Sequence, residues 1–297
     1  MQHDTIVVGG GFAGLAAATY LARARRSVHV LDTGKPRNRF ATASHGFLGQ
    51  DGKDPAQILA VAREQLRAYP TVRITEAEAS KAHARDDDFS VHLASGEQLE
   101  ARTLILAFGL RDTLPAIPGV EERWGKTVLH CPYCHGFEFS DRPLGVLYRT
   151  EMSIHQALLI AEWGPTTLFL NGAHLHAEGA EVLARRGVSV EPEPVARLEG
   201  NGAALSAVRL KDERSREIEA LYISPQSRLS SSLAEQLGVE ISEEPLGSLI
   251  RTDANKMTSV KRVYAAGDIA RAPHSVSWAV ADGVTAGTSV HRALVFG

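Results

Sequence analysis

The sequence predicts an α/β chain with two parallel-sheet domains of dinucleotide-binding type, and three observations predict it. At the N-terminus a short β-branched run leads through a glycine-rich turn into an alanine-rich helical stretch and a second apolar strand. The same strand–helix–strand order returns between about residues 143 and 186. Near the C-terminus another buried strand closes on Gly267-Asp268 and runs into a helix rich in alanine and glycine. A chain of 297 residues is long enough for two domains of ordinary size.

Taken in order, Thr5-Ile6-Val7-Val8 reads as a buried parallel strand. It enters Gly9-Gly10-Gly11-Phe12-Ala13-Gly14, and Ser27-Val28-His29-Val30-Leu31-Asp32 follows as a second strand ending in an acid. This is G-x-G-x-x-G between strand and helix. Gly9 makes the tight turn, Gly11 lets backbone approach a pyrophosphate at the helix start, and Gly14 lets helix and strand pack closely. Asp32 is placed to accept hydrogen bonds from a ribose diol. Phe12 and Ala13 lie inside this turn and are expected to bind the cofactor with it, the alanine-rich helix following from Leu15. Residues 34–55 are polar and loop-like, and they contain Arg37, Asn38 and His45. An amphipathic helix over 55–69, a short strand at 72–74 and a hairpin over 89–97 come next. A buried strand over 102–107 closes on Phe108-Gly109, and Pro115 and Pro118 punctuate a linker. The expected domains are 1–112 with 247–297, and 116–243.

The second block has the outline of a dinucleotide site without its chemistry. Its first turn is Tyr148-Arg149-Thr150-Glu151-Met152, which has no glycine, and Glu151 would repel a phosphate at the helix start. After Leu170 the chain gives Asn171-Gly172-Ala173-His174, with no cluster of arginines to hold a 2′-phosphate. NADPH is therefore not expected to bind there.

The only two cysteines stand in Cys131-Pro132-Tyr133-Cys134-His135-Gly136. Two thiols at this spacing can close a small ring and carry two electrons. A lone C-x-x-C reads as redox or as half a zinc site. Zinc needs four ligands, no second C-x-x-C exists, and His130 and His135 lie too close in sequence to complete a tetrahedron easily, so no metal is expected. A chance pair of buried thiols is the plain alternative. A protonated His135 and a helix beginning at the motif would each lower a thiol pKa, and His135 could move a proton near neutral pH. Tyr133 and Phe137 are expected to pack around the motif.

Composition narrows the rest. Apolar residues make up 44% and the formal charge is −3, so nothing points to nucleic acid or a membrane surface. No apolar run approaches a membrane span. The N-terminus has no basic region before its first strand, so a signal peptide is not expected and the chain reads as cytoplasmic.

Three signals lie in a specific order: the N-terminal glycine motif, the C-x-x-C in the second block, and the Gly-Asp strand near the end. Together they resemble the thioredoxin reductase-like, FAD-dependent pyridine nucleotide-disulfide oxidoreductases over nearly the whole chain. The resemblance implies two Rossmann-like, three-layer ββα domains. It implies FAD held by Gly9, Gly11, Gly14 and Asp32 at its ADP half, and a second FAD turn at Gly109, where Phe108 departs from the usual threonine. It further implies the ribityl chain at Asp268, after Gly267, and the flavin pyrimidine edge near Ser275 and Val276. Arg37, Asn38 and His45 lie in the loop that should follow the FAD. Cys134 would be the thiol facing the flavin and Cys131 the exchanging thiol. His135, where thioredoxin reductases carry aspartate, resembles the subgroup that includes dithiol oxidases of disulfide natural-product pathways. The missing nicotinamide motifs resemble the NADPH-independent and ferredoxin-dependent branches.

Three functions follow as expectations. One is a reductase passing electrons to a protein disulfide of thioredoxin type. Another is an oxidase in which a small dithiol reduces the pair and oxygen is the final acceptor. The last is a non-catalytic, flavin-bound redox sensor, against which the intact C-x-x-C argues. A homodimer is implied by the resemblance alone.

Overall fold

The computed structural model describes residues 2–85 and 87–297. The chain divides into two compact units, 1–39 with 55–112 and 227–297, and 40–54 with 113–226.

The first unit is built on a seven-stranded sheet. His3–Val8 lies between Val28–Asp32 and Gln98–Leu106, all parallel, with Val72–Glu76 outside Val28–Asp32. Val263–Ala265 pairs in parallel with the end of Gln98–Leu106, whose beginning pairs antiparallel with Phe89–Leu93. Both faces of the parallel part are buried, which is why its strands read as continuous apolar runs rather than alternating ones. Ile6 and Val8 enter the core on one face and Val7 the core on the other; Leu104 and Leu106 divide from Ile105 in the same way. The Phe12–Arg23 helix and the long Val276–Phe296 helix cover the second face. They cross closely: a Cβ at Gly283 would lie 2.1 Å from the Ala13 carbonyl oxygen, so that position requires glycine.

The second unit has a five-stranded, wholly parallel sheet. Leu144–Leu147 lies near its centre, flanked by Thr166–Phe169 and Ala220–Ile223. Met152–Ile160 and Ala177–Arg185 are its helices, and an antiparallel sheet of Val195–Glu199, Ala207–Leu210 and Ser215–Glu217 forms a further layer. Leu144 and Val146 pack on one side of the sheet and Leu147 on the other.

The compact units depart from the expected domains in two places. Residues 227–246 fold with the first unit, because Ser227 pairs with Gly247 and the Leu233–Gln236 helix buries Leu233 and Ala234 in that unit's core. Residues 40–54 fold with the second. Phe40 packs so tightly on Gly125 that a Cβ there would lie 2.8 Å from its own, and Ser44 bridges Lys53. A polar loop does not announce in its composition which core it will join.

Candidate functional site

In the first unit the turn after His3–Val8 has the features of a phosphate cradle. Gly9 adopts φ +113°, and a Cβ there would lie 2.2 Å from the Ala107 carbonyl oxygen. A Cβ at Gly14 would sit 1.8 Å from the Gly9 carbonyl oxygen, so only glycine permits this approach of helix to strand. Gly11, in contrast, directs its missing side chain into open space. It is the N-cap of the Phe12–Arg23 helix, no side chain caps that helix, and its first turn, with Phe12 and Ala13, has no acid. An open, positive helix start without a competing carboxylate suits a pyrophosphate. Asp32 lies beside it: a Cβ on Gly10 would be 2.7 Å from the Asp32 carboxylate. Arg63 holds that carboxylate at 2.7 Å and also donates to the Gly10 carbonyl at 3.1 Å. The sequence reading missed Arg63, since an arginine on an amphipathic helix carries no local signal.

A second cluster forms around Arg37. Its Nε and Nη2 grip Asp112 in a bidentate pair at 2.9 and 2.6 Å, and its Nη1 donates to Asp268 at 2.9 Å and to His274 Nδ1 at 2.8 Å. Asp268 follows Gly267, whose φ of +82° starts a short helical turn. Ser275 caps the long helix by accepting the Trp278 N–H at 3.1 Å, and Val276 opens it. Asn38 is half-buried on the turn after Arg37. Gly109 has φ +75°, and its carbonyl accepts the Ser230 N–H at 3.1 Å. The glycine cradle, the adjacent acid and the Asp268 cluster fit a flavin dinucleotide. Gly9, Gly11, Gly14 and Asp32 would hold its ADP half.

The second unit carries the cysteines. Cys131 is the N-cap of the one-turn helix Pro132–His135, both cysteines are half-buried thiols, and no disulfide joins them. Cys131 is held below the ordinary thiol range. Its sulfur accepts first from the Cys134 thiol and then from the backbone N–H groups of Cys134 and Tyr133, against the opposing effect of burial. His135 does not contribute a positive charge, contrary to the expectation from sequence. Burial pushes its pKa down, Glu138 opposes this, and His45 adds to it, so the imidazole is neutral at neutral pH. Gly136 is required by packing, because a Cβ there would meet the Trp163 indole at 2.7 Å.

Distant residues brace the motif. Gln156 donates to the His130 carbonyl at 3.1 Å, and Ser224 donates to Gln156 at 3.0 Å. Buried Tyr222 points its hydroxyl at the His135 carbonyl at 3.5 Å, and burial first, then the charges of Cys131, Glu138 and Cys134, keep that phenol protonated. Tyr133 and Phe137 do not wrap the motif: Phe137 is exposed, and Tyr133, also exposed, leans edge-on against Trp163 with ring centres 5.7 Å apart. His45 is grouped here, with Nε2 3.3 Å from Glu138, Nδ1 3.6 Å from Asp51 and its ring 6.3 Å from that of His135. Among the described residues no cluster of ligands could hold a metal ion.

The second unit's own strand–helix turn is closed. The buried Ser153 hydroxyl accepts the N–H groups of Arg149 and Thr150, at 2.9 and 3.4 Å. Glu151 is the N-cap of Met152–Ile160, its carboxylate fixed by the Tyr148 hydroxyl at 2.6 Å and His176 Nε2 at 2.9 Å. Those partners, Tyr148 first, keep it below the usual carboxylate range.

Two parallel-sheet units, one with a dinucleotide cradle and one with a paired dithiol, define a two-domain flavin-type disulfide oxidoreductase fold. The sequence profile of the pyridine nucleotide-disulphide oxidoreductases matches residues 3–160 and 164–283, and the chain belongs to that family, in its thioredoxin reductase-like branch. It is 32% identical to "Thioredoxin reductase sirT" of Leptosphaeria maculans, over 97% of this chain and 93% of that one. It is 34% identical to "Thioredoxin reductase tcpT" of Claviceps purpurea, over 96% and 92%. Among solved structures, an oxidoreductase from Agrobacterium tumefaciens superposes with a TM-score of 0.95 at 43% identity, covering 100% of this chain and 99% of that chain. Family membership implies FAD. Among the described residues no helix is long and apolar enough to cross a membrane.

Proposed function

We propose that this chain is an FAD-dependent thiol/disulfide oxidoreductase that moves two electrons between FAD, the Cys131–Cys134 pair and an external thiol or disulfide, without NADPH. The observation that carries the reading is the depressed Cys131 thiol beside Cys134 in a braced turn. FAD, when bound, supplies a two-electron acceptor and donor for the pair. In the reducing direction the Cys131 thiolate attacks an external disulfide sulfur, forming a mixed disulfide and expelling one external thiolate, which takes a proton. Cys134 then loses its proton to neutral His135 and attacks the Cys131 sulfur. The second external thiol leaves, and the Cys131–Cys134 disulfide remains.

The opposite direction is the second reading, and the closed turn at Arg149 and Thr150 favours it, because it leaves the usual nicotinamide donor without a place. Here a thiolate of a small dithiol attacks Cys131 of the disulfide and expels Cys134. The second substrate thiol, giving its proton to His135, attacks the substrate sulfur in the mixed disulfide and expels Cys131. The substrate is oxidised to its disulfide, the pair is reduced, and oxygen is the final acceptor. A thioredoxin-like protein is the partner in the first direction and a small dithiol in the second, with a ferredoxin as the donor that would drive reduction. The chain works as a cytoplasmic homodimer, which light scattering at twice the chain mass would support.

The test is anaerobic stopped-flow mixing of the oxidised protein with dithiothreitol, NADPH or NADH, following flavin bleaching. Dithiothreitol bleaches the parent and neither Cys131→Ser nor Cys134→Ser, and the nicotinamides bleach none of them. Rapid, saturable bleaching by micromolar NADPH overturns the NADPH-independent reading. Bleaching of both serine variants by dithiothreitol overturns the role of the pair.

A further inference from the structure

The imidazole beside Cys134 has a second imidazole against it. His45 belongs to the 40–54 segment, which folds with the second unit, and its ring stands edge-on to that of His135, with centres 6.3 Å apart and planes at 87°. The loop fixes His45 from both sides. Ser44 before it is bridged to Lys53, its N–H donating to the Lys53 carbonyl at 2.8 Å, and the Gly46 N–H after it donates to Asp51 at 2.8 Å. The His45 side chain is 22% exposed, with Nδ1 turned to Asp51 at 3.6 Å and Nε2 to Glu138 at 3.3 Å.

Glu138 serves both rings. It lies three positions after His135, in the short turn Phe137–Phe139 that follows the cysteine helix. Burial is the largest force against a proton on His135; Glu138 favours one, and His45 opposes one. The remaining titratable groups around His135 are the two thiols of its own helix and Tyr222 of the Ala220–Ile223 strand, whose hydroxyl points at the His135 carbonyl. A carboxylate engaged by one imidazole has less to offer another, and two cations this close repel. The loop therefore bears on which ring of the pair takes a proton.

We propose that His45 is a positioning residue for the dithiol chemistry: by engaging Glu138 and standing against the His135 ring, it keeps His135 free to accept the proton of Cys134. The proposal rests on the thiol/disulfide reading above and adds to it a residue from a loop 90 positions away in sequence.

The test uses two variants that break the same contact and remove opposite charges. If the His45–Glu138 pair only pins the loop, His45→Gln and Glu138→Gln act alike. If the pair governs His135, they act oppositely. Holoprotein labelled with ¹³C-histidine is titrated by NMR, the His135 signal being assigned by its absence in His135→Asn. The acid limb of flavin bleaching by dithiothreitol is followed alongside, since bleaching needs His135 unprotonated. His45→Gln should raise both midpoints by about one pH unit, and Glu138→Gln should lower both by about as much. No shift in His45→Gln, or shifts of one sign in both variants, overturns the proposal. Should His45→Gln fail to fold, Glu138→Gln decides alone, and a midpoint unchanged or raised in it overturns the proposal. If dithiothreitol does not bleach the flavin of the parent, the thiol/disulfide reading falls, and the NMR midpoints still decide whether His45 governs His135.

Discussion

The two units place the same strand–turn–helix at the heart of the same kind of sheet, and the turns differ atom by atom. In the first, Gly11 faces open space, the helix start is uncapped, and no acid stands in its first turn. In the second, Ser153 occupies the Arg149 and Thr150 amides, and Glu151 sits at the N-cap, tied to Tyr148 and His176. Topology delivers a helix start to the edge of a parallel sheet. Whether that start can receive a phosphate depends on who already holds its N–H groups and what charge stands there.

The largest effect should come from damaging the open turn. Gly11→Asp would place a carboxylate at the helix start proposed to receive the pyrophosphate. Since a Cβ at Gly11 meets nothing within 4 Å, the variant should fold and lose its flavin. The measurement is the flavin-to-protein absorbance ratio together with the circular dichroism melting curve. A folded variant that keeps its flavin would show that the cofactor is not held at this turn.

The next effect concerns the closed turn. On the NADPH-independent reading proposed above, several charge-assisted hydrogen bonds, each worth about 1.5–3 kcal/mol, would be unavailable to a nicotinamide dinucleotide there. Its dissociation constant should be weaker by several powers of ten than an open turn would allow. Calorimetric titration with NADP⁺ should give no measurable heat, and micromolar binding would break the comparison.

The two turns also show what a sequence can disclose. Glycine spacing, the acid closing the second strand and the C-x-x-C are local, so Gly9, Gly11, Gly14, Asp32, Cys131 and Cys134 could be named from short windows. The lack of glycine after Leu147 and the charge of Glu151 were visible in the same way. Ser153 was not, because a serine two residues into a helix reads as an ordinary helical position until its hydroxyl is seen to turn back on two amides. The partners of Arg37 are separated from it by 75 and 231 positions, and Tyr222 lies 87 positions from His135; only folding brings such residues together. His45 was legible as a loop histidine, yet its grouping with Glu138 and His135 depended on which core residues 40–54 would join.

A smaller effect tests whether the closed turn is a structural device. Ser153→Ala leaves two amides of a buried turn without their acceptor. It should destabilise the protein by about 1–3 kcal/mol, read by urea denaturation, without creating nicotinamide binding, because Glu151 remains. A variant as stable as the parent would mean that water serves those amides equally well and that the hydroxyl does not close the turn.

The smallest effect separates the units by their response to acid. The strand that ends at Asp32 in the first unit contains His29, which is buried, with Nε2 2.8 Å from the Thr75 hydroxyl and Nδ1 3.2 Å from His3 Nε2. Burial first, then the neighbouring His3 and Arg73, push its pKa down from 6.5 to about 4. Unfolded, the same histidine takes a proton near pH 6.5. Between these values the unfolded chain binds more protons than the folded one, so stability must fall as the pH drops through 6.5 and level off below about 4. The loss from this group should be on the order of 1–3 kcal/mol, and it should appear as earlier release of flavin, since the strand carries Asp32 beside the cradle. His29→Gln, which keeps a partner for Thr75 and cannot titrate, should flatten the pH dependence of the first unit's melting without altering the reactivity of Cys131 towards iodoacetamide. An unchanged acid profile in that variant would move the acid sensitivity to other groups, the half-buried His135 of the second unit first among them.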